Sequence, residues 1–325
     1  MSDKSFPTPP FTFDNDDTSL VAYLKSTEIG YLSKTTETLI ERLGPSLDEK
    51  QNRATIKKLW QSILVDAVKT LKKNDLRECP KGTRSKVVTF FDKNSLGMPR
   101  LTKVLDAFEE HESLMYGARP DRYRDHIVHT FRVWAIGHGL LRGCLGGNLW
   151  LPEAKTIKPE EPRKKGGLSP LVKSEEWDCI WAVAALCHDI GYPITALEYI
   201  NRSAGKALSP QGLHAAGELS YVFSPRLQPF HETILKMMSS RIPEPLNPGE
   251  YATHLQNKFY LKFLNSFDLL EHGVVSALVA GKSLVYFLES DYSHDRGSYL
   301  DAKDARQFTI RREMLRAMAA HTCPE

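Results

Sequence analysis

The feature that most constrains this chain is an almost wholly apolar segment that ends in a histidine and an aspartate. Residues 177–193 read WDCIWAVAALCHDIGYP, and this pattern predicts a core helix that Gly191 and Pro193 terminate. The pair His188–Asp189 therefore lies at the buried end of that helix. A buried carboxylate is costly unless a cation or several hydrogen bonds compensate its charge. A metal ion would do so; the alternative is an Asp189 that pairs with an arginine and a His188 that caps the helix.

Three other segments carry a histidine on or beside a predicted helix. In RDHIVHTFRV, Asp125 and His129 lie one turn apart on the same helix face, and His126 is one residue round from Asp125. His272 begins the apolar stretch HGVVSAL, and His321 ends the stretch MLRAMAAH. A single histidine in such a place is normally a hydrogen-bonded core residue. Four such segments together supply nitrogen and oxygen ligands suited to iron, manganese, zinc, nickel or cobalt.

The composition indicates the cellular compartment of the protein and argues against several classes of partner. Forty-three basic residues nearly balance forty acidic ones, and the net charge of +3 is too small for bulk binding to nucleic acid. Five cysteines without a CxxC pair argue against a disulfide framework and against a thiolate zinc site. The N-terminus has no apolar run behind a basic start, and no run approaches about 18 apolar residues. We therefore expect a cytoplasmic protein with no membrane partner.

Helical periodicity dominates the chain and predicts a mainly α fold. The stretch 54–71 carries an apolar stripe at spacings of three and four residues, and only Val87–Phe91 reads as a strand in the first half, which allows at most one short hairpin. Further helices are predicted over residues 101–115, 123–141, 175–190, 227–239, 251–267, 271–288 and 302–321. We divide the chain into a mobile arm (1–20), an N-terminal helical region (21–117) and a helical metal-binding domain (118–325) with a surface insertion rich in Gly and Pro (142–174).

The order of the histidines and the aspartate resembles that of the HD superfamily, a group of all-helical, metal-dependent phosphohydrolases. The resemblance covers residues 115–325 and implies an HD-type helical bundle that binds one or two divalent transition-metal ions, drawn from Mn, Fe, Ni, Co and Zn. It implies that His129 and His188 are the first two ligands and that Asp189 is the third and bridges two metals. His272 and His321 match the histidines that hold a second metal in the binuclear members.

The sequence HDIGYP is a fairly specific signal because it follows an apolar helix. The chain contains a second doublet, His294–Asp295, but this one lies in the polar stretch ESDYSHDRGS without an apolar helix before it, so no metal is expected there. HDIGYP lacks the lysine that often follows HDIG in cyclic-dinucleotide members, and the signature of stringent-response hydrolases is absent after the doublet. The expected partner is therefore a phosphorylated small molecule such as a nucleotide, without a closer assignment.

The family's closing aspartate, which normally lies on a later helix, has no counterpart in this sequence. The chain stops four residues after His321. We expect the missing ligand to lie beyond residue 325 in a longer protein. The alternatives are that Asp268, Glu271 or Asp301 takes its place, or that the site is impaired.

The resemblance implies hydrolysis of a phosphate ester or anhydride by a metal-activated water. The leaving oxygen needs a proton, and Asp125 and His126 are the candidate donors nearest the first ligand in the sequence. In the related cyclic-nucleotide phosphodiesterases, a histidine four residues before the first ligand donates this proton. Asp125 occupies that position here, and an equally good interpretation has it orienting a ligand imidazole.

Arg124, Arg132 and Lys282 are the candidate phosphate clamps, although each could equally be a solvated charge on a helix. Two other functions share the same ligands. The helical array could be a metal- or nucleotide-binding interaction module without activity, or an HD-type fold that carries out oxidation with a di-iron centre.

Overall fold

The computed structural model describes residues 17–48, 50–77, 106–108, 110–112, 125–145, 171–212, 225–242, 251–283, 299–300 and 302–322. The long helices are α1 (Asp17–Ser26), α2 (Lys34–Glu41), α3 (Lys50–Arg77), α4 (His126–Leu145), α5 (Ser174–Cys187), α6 (Tyr192–Leu208), α7 (Gln228–Ser239), α8 (Asn257–Asp268), α9 (His272–Ser283) and α10 (Ala302–Ala320). Residues 106–108 and 110–112 are also helical. The prediction of a mainly α fold is confirmed.

The strands within these ranges are two residues long and form two small antiparallel pairs. In the first pair, Ser240 lies opposite Leu255; in the second, Tyr251 lies opposite Leu300. The strands are β1 (Ser240–Arg241), β2 (Tyr251–Ala252), β3 (His254–Leu255) and β4 (Tyr299–Leu300).

Helix α5 lies at the centre of the bundle. It packs against α3, α4 and α10 and also contacts α9. Its residues from Glu176 to Cys187 are buried, except for Trp181, which is partly buried. A helix that is apolar on every side has no face to offer to water and must be surrounded by other helices. The sequence WDCIWAVAALC therefore fixes α5 as the core helix around which the other elements pack.

A buried ion pair fixes the start of α5. Glu176 is fully buried, and its Oε2 accepts hydrogen bonds from the backbone N–H of Lys173 and from Nε of Arg306, at 3.0 Å each. The Nη2 atom of Arg306 contacts Oε1 of the same carboxylate. Because Arg306 belongs to α10, this pair holds α5 and α10 in a fixed register.

The N-terminal helices belong to the same hydrophobic core as the helices that follow them. Helix α3 packs against both α4 and α5, and Nε1 of Trp60 donates to Oγ1 of Thr130 across the α3–α4 contact. The predicted regions 21–117 and 118–325 therefore share one core in the described part of the chain.

Residues 17–20, which we predicted to end a mobile arm, form the first turn of α1 instead. The reason is that Asp17 is anchored on both carboxylate oxygens. Its Oδ2 accepts from the backbone N–H of Leu47 at 2.8 Å, and its Oδ1 accepts from Nε of Arg132 at 2.9 Å.

Several predicted boundaries shift for identifiable reasons. The helix expected over 251–267 begins only at Asn257, because residues 251–252 and 254–255 pair in strands. Pro193 does not end a helix: it lies in the first turn of α6, where its missing N–H leaves no intrahelical bond unmade. Val87–Phe91 and most of the insertion 142–174 lie outside the described residues, whereas α4 continues to Leu145.

By length and hydropathy alone, the stretch Ser174–Leu197 could cross a membrane. Most of this stretch is buried inside the protein, and the core helix of a helical bundle has the same length and composition.

Replacing Arg306 with methionine is expected to lower the free energy of unfolding by about 3–5 kcal/mol, because the buried carboxylate of Glu176 loses its counter-charge. Denaturant unfolding followed by circular dichroism measures the change. The matched control is Lys236→Met, which removes a partly exposed i,i+4 pair with Glu232 and should cost less than about 0.5 kcal/mol. Equal losses in the two variants would contradict the role assigned to the buried pair.

Candidate metal centre

The structure brings four imidazole rings onto the one carboxylate of Asp189. Its Oδ2 lies 3.1 Å from Nε2 of His188 and 3.6 Å from Nε2 of His129. Its Oδ1 lies 3.3 Å from Nε2 of His321 and 3.4 Å from Nε2 of His272. The carboxylate thus divides the four rings into two pairs, with one of its oxygens facing each pair.

Two groups of potential metal ligands follow from this geometry, and they share Asp189. The inner group is His129, His188 and Asp189, and the outer group is Asp189, His272 and His321; within each group the ligand atoms lie within 4.8 Å of one another. Each group offers two imidazole nitrogens and one carboxylate oxygen, a donor set that suits a divalent transition metal. These residues could therefore hold two ions, with Asp189 between them.

Hydrogen bonds fix the protonation of two of the rings. Nδ1 of His188 lies 2.7 Å from the backbone oxygen of Ala185, and Nδ1 of His321 lies 2.6 Å from that of Met318. A carbonyl oxygen can only accept, so Nδ1 carries the hydrogen in both rings. In a neutral ring the lone pair is then on Nε2, the nitrogen that faces Asp189. A metal-binding histidine is normally prepared in this way.

The same contacts show why this arrangement suits a cation. Burial by itself would raise the pKa of Asp189, but hydrogen bonds from His188, His272 and His321 outweigh burial and hold this pKa well below the usual range for aspartate. The carboxylate is therefore charged, and it faces the Nε2 atoms of His188 and His321, which carry lone pairs when these rings are neutral. Nε2 of His272 also lies only 3.1 Å from Nε2 of His321. Two acceptor atoms cannot lie this close with nothing between them, so each short contact contains either a proton or a metal ion.

All four ligand-bearing elements reach the site through a helix end. His129 lies in the first turn of α4, His188 directly follows α5, His272 begins α9 and His321 directly follows α10. Helix ends can approach one another more closely than helix flanks, so four helices can each contribute one ring here.

Glycine at position 191 allows the turn after α5 to touch the start of α9. A Cβ atom on Gly191 would lie 2.4 Å from the backbone oxygen of His272 and 2.9 Å from the backbone nitrogen of Ser276. The N–H of Gly191 donates to Oγ of Ser276 at 2.8 Å. The glycine of HDIG, which the sequence pattern indicates only as a helix terminator, therefore has a packing function as well.

A second glycine brings the ends of α9 and α10 together. A Cβ atom on Gly273 would lie 2.4 Å from Oγ1 of Thr322 and 2.8 Å from the backbone oxygen of Met318. The N–H of Gly273 donates to Oγ1 of Thr322 at 3.1 Å. Because Gly273 and Thr322 directly follow His272 and His321, this contact sets the spacing of the outer pair of ligands.

The turn between α8 and α9 is also unusual. Leu270 has a φ of 53°, the left-handed region in which glycine is normally found. The N–H of Leu270 donates to the oxygen of Phe267, and the N–H of Glu271 donates to that of Ser266. These two bonds close a Schellman motif at the end of α8, so the backbone enters α9 at His272 in a fixed direction.

Asp125, a predicted proton donor or orienting residue, caps α4 instead. Its Oδ1 accepts from the backbone N–H groups of Ile127 and Val128, at 3.1 Å each. Its Oδ2 accepts from Nε of Arg53 on α3 at 2.5 Å. Both oxygens are thus engaged by the helix start and by an arginine, which is the standard task of an aspartate at an N-cap.

Arg132, a predicted phosphate clamp, is engaged by carboxylates of the N-terminal region. Its Nε and Nη2 donate to the two oxygens of Asp17, and Nη2 also donates to Asp48 at 2.7 Å. The hydrogen bonds to Asp17 are the main reason why the pKa of Arg132 is raised above its usual value. This position gives Arg132 a structural role that joins α4 to α1.

Of the other two predicted clamps, Lys282 belongs to neither ligand group. Lys282 lies on the same helix as His272, but ten residues along it correspond to about 15 Å of rise. The neighbour of Lys282 is His231, whose pKa is lowered by burial first and by the charge of Lys282 second. Arg124 lies outside the described residues.

His126, the second predicted proton donor, has a partner that sequence reasoning missed. Its Nδ1 lies 2.7 Å from Oε1 of Glu112, which is also buried. The ring of Tyr192, likewise missed, contacts both His126 and His272, with centroid distances of 4.2 Å and 5.7 Å. Glu112 is one acidic residue in the stretch FEEHES and nothing in the pattern distinguishes it; Tyr192 adjoins the HDIG turn, which could have indicated it.

Two of the three carboxylates considered as substitutes for a closing aspartate are described by the structure, and neither is part of the site. Neither Asp268 nor Glu271 belongs to one of the two ligand groups, and Asp301 lies outside the described residues.

Comparisons with protein-family models, with curated proteins and with solved structures found no match for this chain.

Replacing Gly191 with alanine is expected to disrupt the site, because the added methyl group would overlap the backbone of His272. We expect a loss of about 1–3 kcal/mol in the free energy of unfolding and a weaker affinity for added Mn²⁺. Thermal unfolding and metal titration measure the two effects.

Gly205→Ala is the matched control for this substitution. Gly205 lies inside α6, and an added Cβ would meet nothing within 4 Å. Alanine there should raise the free energy of unfolding by about 0.5–1 kcal/mol, since glycine is unfavourable within a helix. If Gly191→Ala behaved like Gly205→Ala, the packing function of Gly191 would be refuted.

Proposed function

We propose that this chain hydrolyses a phosphate ester or anhydride of a nucleotide or a similar metabolite, with two divalent transition-metal ions at the site. The observation that carries the proposal is the sharing of Asp189 between two pairs of imidazole nitrogens. His129 and His188 would hold one ion, and His272 and His321 the other. Ions bound there would polarise a phosphoryl oxygen and lower the pKa of a bound water molecule towards about 7.

The charge of the ligand set favours an anionic substrate. Among the described residues, the two ligand groups contain four neutral ligands and one carboxylate. Two divalent ions would therefore keep most of their positive charge, which attracts a phosphate group. A site built to neutralise its ions would contain more carboxylates.

The protein backbone orients two of the proposed ligand rings. The carbonyl groups of Ala185 and Met318 hold the rings of His188 and His321, so these ligands need little reorganisation. Asp189 is ionised and buried, which keeps both of its oxygens available to cations rather than to water.

A second candidate function, oxidation by a di-iron centre, is supported by the composition of each group. Two histidines and one carboxylate are also the typical ligands of non-haem Fe(II). Consumption of dioxygen by the iron-loaded protein, without hydrolysis by the manganese-loaded protein, would favour this alternative over hydrolysis.

The metal content of purified variants tests the ligand assignment. We expect the wild type to bind two ions per chain, as measured by elemental analysis after incubation with Mn²⁺. Asp189→Asn should lose both ions because both groups share it. His129→Ala and His272→Ala should each keep about one, because each removes a ligand from one group only.

The second doublet provides the control. His294→Ala with Asp295→Asn should leave the metal content unchanged, because neither residue belongs to the assigned set. A wild type without metal, or an Asp189→Asn variant with full metal content, would contradict the assignment.

Hydrolysis is tested with the manganese-loaded protein on nucleotides and nitrophenyl phosphates. Replacing His188 with alanine should lower kcat at least about 100-fold, since one metal contributes several kcal/mol of transition-state stabilisation. A wild type that binds two ions but hydrolyses none of these compounds would show that the chain is a binding module.

A further inference from the structure

A buried glutamate from the N-terminal region holds His126 from two sides. Glu112 is 1% exposed, and its Oε1 lies 2.7 Å from Nδ1 of His126. Its Oε2 accepts a hydrogen bond of 3.0 Å from the backbone N–H of His126. One carboxylate therefore fixes both the ring and the backbone of this residue. Burying a carboxylate is costly unless hydrogen bonds or a counter-charge compensate it, and His126 supplies two such contacts.

We propose that Glu112 is a positioning residue that holds His126 as the proton donor to the leaving group. The inference rests on the proposed hydrolysis of a phosphate ester and goes further by assigning the proton transfer. It also gives the segment 106–112, which precedes the predicted metal-binding domain, a role in the reaction.

The hydrogen bond to Glu112 determines which nitrogen of His126 can react. A carboxylate that accepts from Nδ1–H leaves Nε2 as the nitrogen that exchanges a proton. Among the residues that the structure describes, Nε2 has no hydrogen-bond partner.

His126 lies close to the proposed metal ligands but is not one of them, as expected for a proton donor. It lies three residues before His129, on the same side of the first turn of α4. The ring of Tyr192 contacts both His126 and the proposed ligand His272. His126 therefore lies within one side chain of the site but belongs to neither ligand group.

Two other ionisable groups near His126, Asp125 and His111, do not orient its ring. Both oxygens of Asp125 are engaged by the start of α4 and by Arg53. The pKa of His111, next to Glu112, is lowered, first by burial. A neutral His111 does not compete with His126 for the charge of Glu112.

The proposed step balances as an ordinary hydrolysis. The oxygen of water forms a bond to phosphorus, and the bond between phosphorus and the sugar oxygen breaks. The electron pair of that bond stays on the sugar oxygen, which takes the proton from Nε2 of His126. The proton released by the attacking water restores the imidazolium, so the products are an alcohol and a phosphate.

The test compares leaving groups that differ in their need for a proton. 4-Nitrophenolate leaves without protonation, whereas a ribose oxygen does not. The probes are 4-nitrophenyl phosphate with AMP, and bis(4-nitrophenyl) phosphate with 3′,5′-cyclic AMP, all with the manganese-loaded full chain. For each pair, the ratio of kcat on the sugar ester to kcat on the nitrophenyl ester is measured.

Glu112→Gln should lower this ratio about tenfold, since loss of a partner that orients a functional histidine costs about 10–100-fold. His126→Asn should lower it about 100-fold or more, as expected for a lost general acid. Glu110→Gln, which changes an exposed glutamate in the same short segment, should leave the ratio unchanged. Metal content and thermal unfolding are measured for each variant.

An unchanged ratio in Glu112→Gln and His126→Asn would overturn the inference, and so would a loss of metal that lowers both rates equally. If the wild type hydrolyses none of the four esters, the proposed function fails, and this inference fails with it. An active wild type with unchanged ratios refutes the proton donor alone.

Discussion

The structure depends on one electrostatic constraint, the burial of a charged carboxylate against four ring nitrogens. Asp189 cannot lose its charge cheaply, because three hydrogen bonds from histidines hold its pKa low despite burial. The rings of His188 and His321 cannot turn away, because each donates to a carbonyl of its own helix. Positive charge must therefore lie among these atoms, as protons or as metal ions. The helices around the site serve to hold this arrangement together.

The four rings reach Asp189 because the ends of four helices meet at the site. The core helix α5 delivers His188 and Asp189, and it is held in register by the buried pair of Glu176 and Arg306. Because Gly191 and Gly273 have no side chain, the neighbouring helix ends can approach closely at these two positions. The candidate site thus depends on close backbone contacts as much as on its histidines and Asp189, so a change that adds a single methyl group there is expected to disturb it.

The central part of this arrangement could be predicted from the sequence, and its periphery could not. An apolar helix that ends in His188–Asp189 buries a carboxylate, so periodicity and the cost of burying charge indicated that a cation or several hydrogen bonds must meet it there. Charged surface residues have no such constraint: Arg132 finds Asp17 only through the packing of α1 on α4, which no local pattern encodes. Glu112 was missed for the same reason, since its partner is fourteen residues away across segments with no common periodicity.

The ligand groups also tie together segments that are far apart in the chain. His129 and His321 lie on helices that begin at residues 126 and 302, and the unfolded chain has no preformed site to hold an ion. If metal ions bind here as we propose, they stabilise the folded state alone, and this stabilisation rises with the free concentration of metal. With metal bound in this way, the folded fraction in a cell would depend on the supply of metal, and a chelator would destabilise the protein.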